Sequence, residues 1–222
     1  MADVPAASLP WTLAGEPVRL YAERALYWPA RQRLVIADLH LGKGDTFRRH
    51  GIAVPSGGTA DDLARLAGLL ARTGARELWV LGDMLHGDPA GSRWRAAWTA
   101  FRAAHRDLAI RVIAGNHDRA LHAAALDVAI DAAAVRDGPF EFRHAPATRP
   151  GAHVLCGHLH PVLRLAPLRR QFPAFVLDPS TTVLPAFSLF TGGWPADPRA
   201  GPVVACVDGA LVPAGPSSHP PV

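Results

Sequence analysis

Five short clusters in this chain combine side chains able to hold metal ions: Asp38-Leu39-His40, Gly82-Asp83, Gly115-Asn116-His117-Asp118, the isolated His144, and Gly157-His158-Leu159-His160. They supply carboxylate, amide oxygen and imidazole, which are borderline ligands suited to manganese, iron, zinc or cobalt. The lack of clustered thiolates speaks against a purely structural zinc site. In an extended segment, residues two apart point to one side, so Asp38 with His40, and His158 with His160, are each expected to present two ligands together. Asp38, His40, Asp83, Asn116, His144, His158 and His160 are too many ligands for one tetrahedral ion, but they suit a two-metal centre that shares a carboxylate. Two ions about 3.5 to 4 Å apart can clamp a phosphoryl group, make hydroxide from a bridging water and offset charge in an in-line displacement. Such chemistry needs no protein nucleophile.

Taken singly, most of these clusters say little. Gly and Asp are ordinary turn residues, and His144 alone reads as a surface histidine. Gly-Asn-His-Asp directly after an apolar strand is different, because four small or polar residues there serve no packing purpose. The ordered set carries the signal.

The segments that must position these residues follow a strand, loop, helix pattern. Leu34-Val35-Ile36-Ala37 is an apolar run fit for a buried strand that ends at Asp38. A loop containing Gly42, Gly44 and Gly51 is expected next. Thr59 then caps a helix with Leu63, Leu66, Leu69 and Leu70 on one face, closed by Gly74. The pattern repeats with a strand at Leu78-Trp79-Val80-Leu81 and a helix from about Ser92 to His105, on which Trp94, Trp98 and Phe101 are spaced for core packing. A third strand, Ile110-Arg111-Val112-Ile113, leads into Gly115. Beyond it the texture changes to consecutive strands, with hairpin turns at Asp137-Gly138 and Asp208-Gly209. That shift predicts an α/β fold of two packed sheets flanked by helices, with the polar clusters at strand ends where the chain leaves the sheet.

Composition bounds the rest. With 222 residues, 49% of them hydrophobic, the chain suits one domain, expected over residues 1–212, with a flexible Pro/Gly/Ser-rich tail over 213–222. No secretory signal pattern is present, so a cytoplasmic location is expected. The uncharged stretch between Asp178 and Asp197 is broken by Pro185, Gly192, Gly193 and Pro195, so no membrane span is expected. Cys156 and Cys206 are too few for a disulfide framework and read as reduced, buried thiols. The balance of 23 basic to 19 acidic side chains permits a phosphate-rich partner without demanding one, and Lys43 is the only lysine.

The ordered motifs resemble those of the calcineurin-like metallophosphoesterase superfamily, across Asp38 to His160. The resemblance implies a four-layer αββα sandwich with two mixed sheets flanked by helices and a dinuclear site at the strand ends. It implies that Asp38, His40 and His160 hold one metal, that Asn116, His144 and His158 hold the other, and that Asp83 bridges them. His117 would contact the scissile phosphate and help the leaving oxygen depart, with Asp118 orienting it. A narrower similarity rests on Ala37-Asp38-Leu39-His40-Leu41-Gly42-Lys43, Leu81-Gly82-Asp83-Met84-Leu85-His86, Phe142-Arg143-His144, Gly157-His158-Leu159-His160-Pro161, Leu184-Pro185-Ala186-Phe187 and Thr191-Gly192-Gly193. Together these are similar to the bacterial DNA-ligase-associated metallophosphoesterases. That branch is encoded beside an ATP-dependent DNA ligase, a helicase and an exonuclease, and is similar to manganese-dependent phosphodiesterases and DNA endonucleases.

The expectation is therefore a phosphodiesterase with two divalent ions, manganese first and iron or zinc as alternatives, acting on single-stranded or structured DNA in repair. Lys43, Arg48 and His86 are the candidates for touching substrate. Two other readings stay open at this point. One is an enzyme with the same centre that cleaves a small or lipid-linked phosphate ester or pyrophosphate. The other is a non-catalytic scaffold of the same fold.

Overall fold

The computed structural model describes residues 8–53, 58–86, 92–116, 118, 121–131, 133–165, 169–189 and 191–216. Three strands precede those expected from the sequence: β1 (Ser8–Leu13), β2 (Glu16–Tyr21) and β3 (Ala25–Trp28) form an antiparallel meander. Its first turn needs the left-handed region twice, at Ala14 (φ +49°) and Gly15 (φ +82°), and glycine accepts that conformation at no steric cost. The sheet continues antiparallel into β4 (Arg33–Ala37), then parallel through β5 (Glu77–Leu81), β6 (Ala109–Ile113) and β7 (Ala129–Asp131).

The helices lie in the connections of this sheet. They are α1 (Lys43–Arg49), α2 (Gly58–Thr73), α3 (Ser92–Ala104) and the single turn α4 (Leu121–Ala124). Two details differ from expectation. The glycine-containing segment after Asp38 is helical over Lys43–Arg49, with Gly44 inside it. Gly42 turns the chain at φ +85°, Asp45 lies in the first helical turn, and Arg48 and Arg49 lie in the last, the charge order that a helix dipole favours. Thr59 is the second residue of α2 and not its cap, and its hydroxyl instead accepts the Gly42 N–H at 3.4 Å.

Strands over the second half form a mixed sheet. They are β8 (Val135–Asp137), β9 (Phe140–Phe142), β10 (His153–Cys156), β11 (Pro161–Leu165), β12 (Arg170–Asp178), β13 (Thr181–Val183), β14 (Trp194–Pro195), β15 (Val203–Val207) and β16 (Ala210–Ala214). The order is β14-β11-β12-β13-β10-β9-β8, with β15 on β12 and β16 on β15. Both expected hairpins are present, at Asp137-Gly138 and at Asp208-Gly209. The α/β architecture of two mixed sheets with flanking helices is thus as expected, and its described helices, α1 to α4, all lie in the connections of the first sheet. The Pro/Gly/Ser-rich tail starts later than expected, since Pro213 and Ala214 belong to β16; residues 217–222 lie outside the described residues. No helix among the described residues is long and apolar enough to cross a membrane.

Alternation along β4 shows how a continuous apolar strand serves two cores. Leu34 and Ile36 face the helices, joining Leu63, Leu66, Leu69, Trp94, Trp98 and Phe101. Val35 and Ala37 face the second sheet, joining Phe142, Leu155, Phe175 and Val204. Three successive strands, β4, β5 and β6, therefore end at one edge of a doubly covered layer, and the candidate ligand clusters of Asp38, Asp83 and Asn116 follow those ends.

Both cysteines are inside this packing, and burial pushes each thiol up to about 12. Because the thiolate is the reactive species, iodoacetamide labelling of the native protein at pH 8 is expected to be at least about a hundredfold slower than labelling in denaturant. Mass spectrometry at timed intervals checks this, and equal rates would refute the burial.

Candidate metal centre

Asp38 sits at the centre of the cluster, fully buried just beyond β4. Its Oδ2 accepts the His158 backbone N–H at 2.8 Å and lies 3.3 Å from His160 Nε2, while Oδ1 lies 3.6 Å from His144 Nδ1. His144 Nε2 in turn stands 3.9 Å from Asp83 Oδ1, 2.8 Å from Asn116 Oδ1 and 2.9 Å from His158 Nδ1. The His40 ring stands 5.3 Å from that of His160. Two sets of ligand atoms converge within 4.8 Å: Asp38 with His40 and His160, and Asp38 with Asp83 and His144. Asn116 and His158 join the second set through His144.

These residues fit divalent cations. Asp38 Oδ1, His144 Nδ1 and His160 Nε2 are buried and accept or donate no hydrogen bond among the described residues. Leaving such an atom unsatisfied costs about 1–3 kcal/mol, which coordination would offset. Burial also pushes the His144 pKa down against the pull of Asp38 and Asp83. That keeps the imidazole neutral, the form that binds metal.

The backbone route to this geometry differs from the expected one. Asp38, His40, His158 and His160 are not extended; their φ values are +52°, +51°, +69° and +50°. β4 and β10 end one and two residues short of these motifs, so no ladder holds the backbone flat, and each ligand is turned inward from a left-handed position. Such strain concentrates at functional sites.

The glycine before each motif has a steric cause that the sequence shows only as recurrence. A Cβ on Gly82 would lie 1.8 Å from His144 Nδ1, one on Gly115 would lie 2.2 Å from Asp83 Oδ1, and one on Gly157 would lie 2.5 Å from Asp38 Oδ2. All three let backbone pass against ligand side chains. The late Leu184-Pro185-Ala186-Phe187 segment is also part of the support. Phe187 and Ser188 donate their backbone N–H groups to the carbonyls of Ala37 at 2.7 Å and Asp38 at 3.3 Å, and Arg24 Nη1 holds the Ser188 carbonyl at 2.9 Å.

Asp118, expected to orient His117, has a structural role of its own. Its carboxylate accepts backbone N–H groups from Gly115 at 2.9 Å, Met84 at 3.2 Å and Leu85 at 2.9 Å, stapling the Gly115 loop to the segment after Asp83. Burial pushes its pKa up, and these three bonds oppose that. His117 lies outside the described residues.

Of the substrate-side candidates, His86 stands with its ring 5.3 Å from that of His40. Lys43, half-buried at the start of α1, has its pKa pushed down by burial against the opposing fields of Asp38 and Asp83. Arg48 is drawn to Asp45 on its own helix, a pairing that the three-residue spacing permits.

Comparison with known proteins covers the segment that carries these residues. The family model for calcineurin-like phosphoesterases matches residues 32–161. The crystal structure of Pseudomonas putida nuclease MPE superposes with a TM-score of 0.80 at 36% identity, covering 90% of this chain and 97% of that one. An Aquifex aeolicus protein of unknown function is more distant, with a TM-score of 0.43 and 17% identity over 58% of this chain and 78% of that one. Comparison with curated proteins returns no match. The matched span, from just before β4 through the last histidine of the cluster, places this chain in the calcineurin-like phosphoesterase family as a metal-dependent phosphoesterase.

Proposed function

We propose that the protein is a dinuclear, manganese-dependent phosphodiesterase that cuts DNA, an endonuclease of a ligase-associated repair system in the cytoplasm. The observation that carries the proposal is the convergence of Asp38, His40, Asp83, His144 and His160 in a chain that aligns over 90% of its length with a nuclease. The ligase-associated motifs support a working association with a DNA ligase, a helicase and an exonuclease.

In this reading Asp38, His40 and His160 would hold one ion and Asn116, His144 and His158 the other, with Asp83 available to both. Bound divalent ions would supply hydroxide at neutral pH and offset charge on the phosphoryl oxygens. The protein's own contribution is positional. Asp38 is fixed by the His158 N–H, and the Asp118 staple holds the two loops that carry Asp83 and Asn116. His117 is assigned to the phosphate and the leaving oxygen, where an imidazolium can donate a proton. Lys43 and His86 are assigned to the non-bridging oxygens and the flanking nucleotide, and Arg48 to the next phosphate along the strand.

The test is purified protein with manganese on single-stranded DNA, duplex DNA, bis(p-nitrophenyl) phosphate and p-nitrophenyl phosphate. Cleavage of DNA and the diester is expected, with His117→Ala at least about a hundredfold slower where the leaving group needs a proton. If the protein leaves DNA and the diester intact, or Asp83→Ala matches the wild type, the proposal fails. Hydrolysis of the monoester alone would favour a phosphatase.

A further inference from the structure

Five of the six tryptophans, Trp11, Trp28, Trp79, Trp94 and Trp98, are buried; Trp194 is 48% exposed. Its indole takes part in no hydrogen bond, ring stack or cation contact among the described residues. A single exposed apolar side chain is ordinary on a protein surface, so exposure alone says nothing. Its position is informative. The Trp194 backbone N–H is shared by the carbonyls of Leu159 at 3.3 Å and His160 at 3.1 Å, and Trp194 pairs in parallel register with Pro161, the residue after the last metal-ligand candidate. Gly193 fixes this approach, because a Cβ there would lie 2.2 Å from Val162 Cγ1 and 2.7 Å from the His160 carbonyl. The Trp194 backbone is therefore held against the start of β11, the strand that begins directly after His160.

A groove of about 480 Å³ opens beside the same residue, with His160 and Gly193 in its wall. Its lining sets Arg24, Arg65 and Arg170 against Glu23 and Asp208. Glu23 is drawn to Arg72 and Asp208 to Arg170 at 3.7 Å, while Arg65 pairs with Asp62 at 2.8 Å and Arg24 holds the Ser188 carbonyl at 2.9 Å. Arg170 remains two-thirds exposed, with a side-chain exposure of 66%. An exposed arginine and an exposed aromatic beside one groove make the pairing that single-stranded nucleic acid uses, with a phosphate on the cation and a base on the ring. A duplex keeps its bases stacked and offers no face to the indole.

We propose that a single-stranded polynucleotide leaves the metal centre past His160 along this groove, with a phosphate on Arg170 and one base stacked on Trp194. The inference rests on the nucleic-acid reading above. It adds a binding subsite and the path of the strand beside it.

The test measures binding of a labelled single-stranded oligonucleotide by anisotropy across salt concentrations, in EDTA. It also measures kcat/KM with manganese on the oligonucleotide and on bis(p-nitrophenyl) phosphate. Trp194→Ala is expected to weaken oligonucleotide binding about tenfold and to lower kcat/KM on it equally, with Trp194→Tyr restoring most of the loss. Arg170→Ala is expected to weaken binding and reduce the salt slope by about one phosphate contact. Neither variant should alter hydrolysis of the small diester. Variants that bind and cut the oligonucleotide like the wild type would overturn the subsite while leaving the nuclease reading intact. A wild-type protein that hydrolyses the diester but neither binds nor cuts the oligonucleotide would sink the nuclease reading, and the subsite with it. Loss of a protein complex in Trp194→Ala with oligonucleotide binding unchanged would reassign the surface to a protein partner and overturn the proposal.

Discussion

Asp38→Asn is expected to lower manganese-dependent diester hydrolysis by about a thousandfold while leaving the metal-free protein at least as stable as the wild type. The two halves follow from one arrangement. In the proposed assignment Asp38 would hold one ion directly, and its Oδ1 lies 3.6 Å from His144 Nδ1 of the other set, so the change removes a ligand from the first site and disturbs the second. A loss of several kcal/mol in charge stabilisation at the reacting phosphate corresponds to that rate factor. In the metal-free protein, by contrast, the same carboxylate is fully buried with Oδ1 unbonded, which disfavours the folded state. The neutral amide keeps an oxygen that can accept the His158 N–H and removes the charge.

Thermal unfolding with and without manganese separates the two effects. At a concentration about a hundred times its dissociation constant, a bound ion adds about 2.7 kcal/mol to the wild type. Asn at this position should show most of that increment missing. If Asp38→Asn instead takes up manganese and turns over normally, the centre has been misassigned.

The candidate metal centre was legible because its residues are polar where a strand end calls for nothing polar, and because their order along the chain is distinctive. Asp38, His40, Asp83, His144 and His160 stand beyond the ends of β4, β5, β9 and β10, and the apolar runs of β4, β5 and β10 were plain in the sequence. The means of convergence was not legible. Period-two alternation predicts which face of a ladder a side chain takes, but Asp38, His40, His158 and His160 stand past the ladders with positive φ, where alternation no longer applies. Asp118 looked like a partner for one neighbour, whereas its carboxylate bonds distant backbone at Met84 and Leu85, contacts that no local pattern encodes. The helix at Lys43–Arg49 was hidden by Gly42 and Gly44, ordinarily loop residues, although the charges at its two ends follow the helical order. β1 to β3 are short, and their alternation is carried by few residues, Trp11 and Leu13 or Val18 and Leu20, facing the inter-sheet core.

Glycine recurrence before the ligands leads to the sharpest structural expectation. Gly82→Ala should destabilise the protein by about 2–4 kcal/mol and lower activity by at least about a hundredfold. Two costs combine. At φ +85° any L side chain is strained. The new Cβ would also stand 1.8 Å from His144 Nδ1, 2.7 Å from His144 Cε1 and 2.8 Å from Asp38 Oδ1. No flexible chain end is available to yield, since these atoms belong to two ligand candidates held by Asn116, His158 and neighbouring backbone. Either His144 leaves its position or the β5 end moves, and displacement of a metal ligand by about 1 Å is enough for the activity loss.

Gly209→Ala isolates the backbone cost, because Gly209 has nearly the same φ, +87°, with nothing within 4 Å of its Cβ. That variant should lose only about 1 kcal/mol and keep full activity. Urea unfolding midpoints for both proteins, together with manganese-dependent hydrolysis, measure the difference. Equal stability and equal activity in the two variants would show that Gly82 is there for its conformation alone and that backbone and ligands are not in contact. A larger loss at Gly82, partly recovered by His144→Ala in the unfolding assay but not in the activity assay, would place the collision at the imidazole.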